Sequence, residues 1–339
     1  MTHIRTQIDG RTGRIILDRE GALNALTTEM CADMTKAMLL WRNDPAVGHV
    51  LVEGAGERAF CAGGDVVMLH DSGKAKDGRA EEFWRIEYML NVLIDEYPKP
   101  YISLIDGIVM GGGVGLSVHG DYRVAGDTTL FAMPETGIGY FPDVGGTWFL
   151  PRLGEAVGNW LGLTGARLGP EACYHLGIAT HVVPTERHEA LKMALSGSED
   201  VEATLAEFHV EPESAWSPPE GLEAFLEADV PAILSALDRN GSNWAQMQAK
   251  LMRKKSPLAL AVTLESLRRG MRTETFRAAM DRELDISVNF LATQDFYEGI
   301  RAQLIDKDRN PQWSHQLDNV SAEQVERLFR PSTANMEFH

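Results

Sequence analysis

Apolar residues fall in short β-rich runs that alternate with helical spacing through about residue 190. Arg14-Ile15-Ile16-Leu17, His49-Val50-Leu51-Val52, Tyr101-Ile102-Ser103-Leu104-Ile105 and Tyr122-Arg123-Val124-Ala125 predict strands, with shorter ones at Leu130-Phe131-Ala132 and His181-Val182-Val183. Between them, residues 28–43 carry Met30, Met34, Met38 and Trp41 on one helical face, and residues 79–97 carry Phe83, Ile86, Leu90 and Leu93. Strand–helix–strand alternation predicts an α/β fold with helices on the sheet faces. After residue 190 the strand signals stop. Residues 200–229 are acidic, and Pro212, Pro218 and Pro219 mark a loop or hinge. Ser256-Pro257 supplies an N-cap and a first-turn proline for a helix running to Arg269, and residues 273–291 form a further amphipathic helix. The layout is an α/β core over 1–190 and a helical C-terminal region over 191–339, with no internal repeat.

Composition narrows the partners. Thirty-two basic and 49 acidic residues in 339 give a net charge of −17, which argues against nucleic-acid and anionic-membrane binding. A local basic patch still suffices for one anionic small molecule. At 44% hydrophobic and 24% charged residues the chain reads as a globular enzyme. Cys31, Cys61 and Cys173 lie far apart without a CxxC pair, so a reducing cytoplasm is the expected location. Residues 1–5 show neither a signal-peptide nor a transit-peptide pattern. The most apolar stretch, 101–120, is interrupted by Asp106 and six glycines and predicts no membrane span. The histidines show no HExxH or other ligand spacing, so no metal site is expected.

Three segments carry candidate chemistry. Gly111-Gly112-Gly113-Val114-Gly115 follows a strand and precedes a helical pattern. Glycines there let backbone N–H groups approach a phosphate or a developing oxyanion, although tight helix–sheet packing asks for the same residues. The spacing fits neither a dinucleotide fingerprint nor a P-loop. Phe60-Cys61-Ala62-Gly63-Gly64-Asp65 is a second small-residue turn; two amides from separate segments are what an oxyanion hole needs. In 131–146, Glu135 and Asp143 are the only acids of an apolar loop punctuated by Gly and Pro. They are candidates for acid–base or nucleophilic work, or else for capping a helix and ordering a turn. Glu87 interrupts the apolar stripe of its own helix, where a carboxylate either faces a cavity or pairs with a core arginine. Gly115-Leu116-Ser117-Val118-His119 comes near the GxSxG of a serine hydrolase but ends in histidine and should lie within a helix.

Taken in order, Asn24-Ala25-Leu26, AFCAGGD (59–65), KPYISLIDGIVMGGGVGLS (99–117) and FAMPETGIGYFPDVGGTWFLPRLG (131–154) resemble the crotonase (enoyl-CoA hydratase/isomerase) superfamily. EYMLN (87–91), SVHGDYRVA (117–125), FPDVGG (141–146) and EGIRAQLIDKDRNPQW (298–313) are most similar to its subgroup that hydrolyses 3-hydroxyisobutyryl-CoA. The resemblance covers residues 14–313 and implies a core of stacked ββα turns that binds an acyl-CoA thioester. By motif position it implies that the amides of Gly64 and Gly112 hold the thioester oxygen, that Glu135 and Asp143 carry the chemistry, and that Glu87 binds near the acyl hydroxyl.

The departures bear on the reaction. The hydratases of the superfamily use two glutamates; one aligns with Glu135, and the other falls at Gly115 here. Asp143 stands where hydratases carry glycine. The resemblance therefore implies hydrolysis of a short 3-hydroxyacyl-CoA, as in valine breakdown, with enoyl-CoA hydration or isomerisation by Glu135 alone as the alternative. CoA enters as part of the substrate, and no separate cofactor is implied. Arg58, Lys74, Lys76, Lys307 and Arg309 are the cations expected to meet its phosphates, Lys307 first among them. A homo-oligomer is allowed, since superfamily members often form trimers, and the helical C-terminal region is long enough to cover the usual contact surface. A binding protein with a dead site is the non-enzymatic rival.

Overall fold

The computed structural model describes residues 3–336, and its contacts divide the chain into two compact units that interleave in sequence. One comprises Met1–Gly64, Met89–Ala132 and Arg167–Trp216; the other comprises Asp65–Tyr88, Met133–Ala166 and Ser217–His339.

The first unit holds every strand of the described residues: β1 (Ile4–Asp9), β2 (Thr12–Leu17), β3 (His49–Gly54), β4 (Ala59–Cys61), β5 (Tyr101–Leu104), β6 (Ile108–Met110), β7 (Tyr122–Ala125), β8 (Leu130–Ala132) and β9 (His181–Val182). They form a six-stranded sheet in the order β1-β2-β3-β5-β7-β9 and a three-stranded sheet in the order β4-β6-β8. Apart from the β1/β2 hairpin every pairing between these strands is parallel. From β3 to β8 the chain thus alternates between one strand of the large sheet and one of the small. The three short strands pair with Cys61 opposite Val109 and Met110 opposite Ala132, and the register shifts between Ala59 and Cys61. The candidate segments of the sequence follow the C-terminal ends of these three strands, at 62–65, 111–115 and 133–146. Helix α1 (Thr28–Trp41) buries Met30, Met34, Met38 and Trp41, as its periodicity predicts. An apolar cluster of Leu51, Ile102, Leu104, Val124, Val183, Leu191 and Leu205 seals one face of the large sheet.

Three strands escaped the pattern. β1 reads IRTQID, with one buried residue in six, so no apolar alternation marks it. β4 and β6 have three residues each, too few to show a period. The acidic stretch expected as loop begins with a helix, Val201–Phe208, capped by Asp200 through the amide of Ala203 and anchored by Val201 and Leu205.

The second unit is helical, and no strand follows Val182 among the described residues. Its first helix, α2 (Val66–Ala75), is capped by Asp65 through the amide of Met68. The helix Pro257–Met271 starts as expected, with the Ser256 hydroxyl accepting from the amide of Ala259. It presses on the turn at 146–149 so closely that a Cβ at Gly270 would lie 1.7 Å from the carbonyl oxygen of Thr147. The next helix, Phe276–Phe290, is capped by Thr275. Helix α3 (Arg79–Asp95) runs through both units, and its expected stripe holds only in part. Ile86 and Leu93 are half-buried, whereas Glu87, Tyr88 and Asn91 are among its most buried residues. Among the described residues no helix is long and apolar enough to cross a membrane.

Candidate active site

The two glycine turns of the first unit pack against each other through their backbones. A Cβ on Gly113 would lie 2.2 Å from the carbonyl oxygen of Cys61, and one on Gly63 would lie 3.9 Å from the nitrogen of Gly112. Only glycine permits that approach at 113. At Gly63 the reason is conformational, since φ is +120°. Gly64 forms an isolated parallel bridge with Leu26, and the amide of Leu26 donates to the carbonyl of Gly63 at 2.8 Å. Gly112 opens the one-turn helix α4 (Gly112–Gly115), so its N–H is one of the donors that a helix start leaves without an intrahelical acceptor.

Ser117 is not poised as a nucleophile. It is buried, and its hydroxyl donates to the carbonyls of Gly113 and Val114, both at 3.0 Å. A Ser117→Ala variant is expected to keep its turnover within about twofold, and the parent to be insensitive to fluorophosphonates. Loss of activity in step with covalent labelling of Ser117 would restore the serine-hydrolase reading.

In the second unit, Glu135 and Asp143 occupy one loop and are each 6% exposed. Pro134 precedes Glu135, which opens a single 3-10 turn, Glu135–Ile138. The turn is tied down by a hydrogen bond from the Thr136 hydroxyl to the carbonyl of Leu163 and by one from the amide of Ser256 to the carbonyl of Thr136. The Glu135 carboxylate keeps one oxygen, Oε2, buried without a hydrogen-bond partner. Its proton affinity is pushed well above the ordinary range, chiefly by burial, then by the charge of Asp143. Lys255 opposes that push; its Nζ lies beside Gly137.

Asp143 is held by phenols. Tyr88 donates to its Oδ2 at 2.7 Å and Tyr140 to the same oxygen at 3.2 Å. Both hydroxyls also reach Ser287 Oγ, at 2.8 and 2.6 Å, and Ser287 donates onward to the carbonyl of Glu283 at 2.7 Å. Aromatic rings wall the network: Tyr140 stacks on Trp84 and meets Phe141, Phe290 and Phe296 at 4.9–5.6 Å between centroids. Burial raises the Asp143 pKa to about 6, against the pull of its two phenol donors. Glu87 is 2% exposed, and its pKa is raised well above the usual value by burial and then by Asp143. Its Oε1 has no hydrogen-bond partner, and among the described residues it forms no ion pair with an arginine, so the core-pair reading is not realised. Three buried carboxylates with perturbed proton affinity, two of them carrying an unsatisfied oxygen, are what a site built for a polar ligand leaves open.

Sequence reasoning missed Tyr88, Tyr140, Ser287 and Glu283. Glu283 is fully buried and accepts from the amide of Gly145 at 2.7 Å, the amide of Thr147 at 3.0 Å and the hydroxyl of Thr147 at 2.5 Å. Its signal was present. It lies on the stripe of Ala279, Met280, Leu284 and Phe290, the kind of interruption that singled out Glu87. Tyrosines carry no such mark, because an aromatic on a buried stripe reads as core.

Of the candidate cations, Lys74 and Lys76 line a cavity of about 690 Å³ together with Glu81, Leu291 and Tyr297, a volume suited to a small ligand. Arg58 donates to the carbonyl of Glu20 within the first unit. Lys307 and Arg309 are exposed, with φ of 58° and 56°, on a turn that wraps Arg301, which pairs with Glu298, Asp306 and Asp308.

With its alternating two-sheet turns, the chain belongs to the enoyl-CoA hydratase/isomerase family, whose model matches residues 12–329. Within that family it is 42% identical over 334 residues to the mitochondrial 3-hydroxyisobutyryl-CoA hydrolase of Danio rerio, covering 94% of this chain and 87% of that one. The Homo sapiens protein of the same name is 40% identical over 335 residues, covering 95% and 86%. Among solved structures, a carnitinyl-CoA dehydratase from Mycobacterium thermoresistibile superposes with a TM-score of 0.93 at 39% identity, covering 100% of this chain and 99% of that one. An enoyl-CoA hydratase from Rhodobacter sphaeroides 2.4.1 gives 0.88 at 39% identity, covering 97% of each. The crotonase-like α/β core with a helical C-terminal part is therefore the fold of this chain.

Proposed function

We propose that the chain hydrolyses a short 3-hydroxyacyl-CoA thioester, taking 3-hydroxyisobutyryl-CoA and water to 3-hydroxyisobutyrate and free CoA. The observation that carries this reading is the buried acid pair of one loop: Glu135 with an unsatisfied oxygen, and Asp143 bound by two phenols on Oδ2 alone. The relatives named as 3-hydroxyisobutyryl-CoA hydrolases, about 40% identical across nearly the whole chain, support the same substrate. On the family's motif positions, the amides of Gly64 and Gly112 take the thioester oxygen as it gains charge. Glu135 delivers the nucleophile: either its own oxygen displaces the CoA thiolate to give a mixed anhydride that water then hydrolyses, or it deprotonates a water that attacks the carbonyl and expels the thiolate. A carboxylate with raised proton affinity is the better base for that step. Asp143 orients the water or the acyl hydroxyl and assists proton transfer to the leaving thiolate, while Glu87 accepts from the acyl hydroxyl. Lys74 and Lys76 meet phosphate oxygens of CoA. We place the enzyme in the reducing cytoplasm, in keeping with three buried cysteines widely spaced in the sequence, whereas the names of the vertebrate relatives place those proteins in mitochondria.

The rival reading, hydration of an enoyl-CoA, has the names of the solved relatives on its side. Against it stands Gly115, buried and without a side chain where the second glutamate of hydratases aligns. A panel of acyl-CoA thioesters with and without a β-hydroxyl, scored for thiol release beside loss of enoyl absorbance, separates the two. Thiol release is expected to be at least about tenfold faster for the hydroxylated acyl groups, because a pocket built around a hydroxyl leaves its own groups unsatisfied when that hydroxyl is missing. Consumption of enoyl-CoA without thiol release would overturn the proposal.

A further inference from the structure

Glu283 and Ser287 stand one turn apart on the helix Phe276–Phe290, and each engages the 140–147 loop. Ser287 meets the two tyrosines that bind Asp143, while Glu283 takes the backbone on the other side, at Gly145 and Thr147. Between these holds, Val144 has φ of +51° and Gly145 +84°. A left-handed conformation suits glycine but is disfavoured for a β-branched residue, so Val144 stays there only while its surroundings hold it. Hydrogen bonds from Gly145 and Thr147 to one carboxylate are positioned to do that. We propose that Glu283 is a positioning residue for Asp143, locking the left-handed turn at 144–145 so that the neighbouring carboxylate faces the two phenols with one oxygen and keeps the other clear of them.

The chemistry of the hold is specific to a carboxylate. Glu283 accepts on both oxygens, from two amides and a hydroxyl. Glutamine has one oxygen and an NH2 group, so one side of the clamp must become donor against donor. A shorter Asp reaches less far. The proposal rests on the reading of Asp143 as a residue of the hydrolytic site, yet the clamp itself can be read without substrate.

The ionisable groups facing Asp143 are Glu87 and Tyr88 of α3, Glu135 and Tyr140 of its own loop, and Glu283 of the helix Phe276–Phe290; Lys255 acts on Glu135, and Arg282 lies beside Glu283. Burial is the largest influence on Asp143, ahead of its two phenol donors, and a loop released by Glu283→Gln is better hydrated. That hydration lowers the proton affinity of Asp143.

The test is an infrared titration of the carboxyl groups, with Asp143→Asn as the subtraction reference, run beside the pH profile of thioester hydrolysis. In Glu283→Gln the Asp143 signal is expected to titrate at lower pH than in the parent. Turnover per folded molecule is expected to fall roughly 30-fold, with KM within about threefold. Thr147→Val keeps both amides and removes only the hydroxyl; it moves the same signal in the same direction and lowers turnover about threefold, and it carries the test if Glu283→Gln does not fold. An unmoved Asp143 titration in the folded variant would overturn the proposal, as would a loss of rate that only tracks loss of folded protein. A parent that releases no thiol from any thioester would overturn the hydrolase reading and leave the infrared result to decide the clamp.

Discussion

Glu135→Gln is expected to lower kcat by about 10³-fold while changing KM by no more than about threefold. General acid–base or nucleophilic work by one positioned side chain is worth roughly 10²–10⁴ in rate, and a neutral amide can neither accept the proton nor attack a thioester. The geometry favours a clean result. Glutamine has nearly the volume of glutamate, and the backbone of its turn is fixed by Thr136 and Ser256 rather than by the side chain. The buried Oε2 has no protein partner to lose. Burial disfavours the charged carboxylate and raises its pKa, so a neutral amide in its place costs the fold little. The fold therefore loses little, and the whole effect falls on chemistry. Steady-state rates with matched binding of a non-hydrolysable thioester analogue check it. Equal losses in kcat and affinity would instead make Glu135 a binding group, and the nucleophile would have to be sought elsewhere.

Much of this architecture was legible because the large-sheet strands β2, β3, β5 and β7 are apolar runs of four to six residues, long enough to carry a signal. Of the small sheet only β8, at Leu130–Ala132, was legible in this way. β4, β6 and β8 have three residues each, and their order is a long-range property that no local pattern encodes. What betrayed them was the glycine after each of the first two, for which backbone-to-backbone packing supplies a physical reason at Gly113. The same division holds in the carboxylate loop. Glu135, Asp143 and Glu87 stood out because charges on apolar segments are anomalous. The phenols that set the behaviour of Asp143 come from α3 and from its own loop, and Ser287 lies 144 positions downstream of Asp143, so neither hydroxyl pattern nor spacing announced them. Glu283 falls between these cases. It was visible as an acid on a buried stripe, but only the contact with Gly145 and Thr147 shows what it holds.

Asp143→Asn is expected to lose thiol release by about 10²–10³-fold and yet to be the more heat-stable protein above pH 7. Burial raises the Asp143 pKa from 3.8 to about 6, so the folded state favours the protonated form more than the unfolded chain does. The stability that this group contributes is complete below the unfolded pKa and is lost as pH rises through the folded one. Ionisation at pH 8 therefore costs the native state on the order of 3 kcal/mol, since each tenfold gain in proton affinity corresponds to about 1.4 kcal/mol. Asparagine does not ionise, can still accept from Tyr88 and Tyr140 through its oxygen, and relieves the like-charge push on Glu87 and Glu135. At pH 8 the variant should melt a few degrees above the parent, whereas near pH 4 the two should converge. Thermal melts across that range, set beside thiol release, make the comparison. If Asp143→Asn melts lower than the parent at pH 8, the carboxylate stabilises the fold through its phenol bonds, and its burial is not a strain that function imposes.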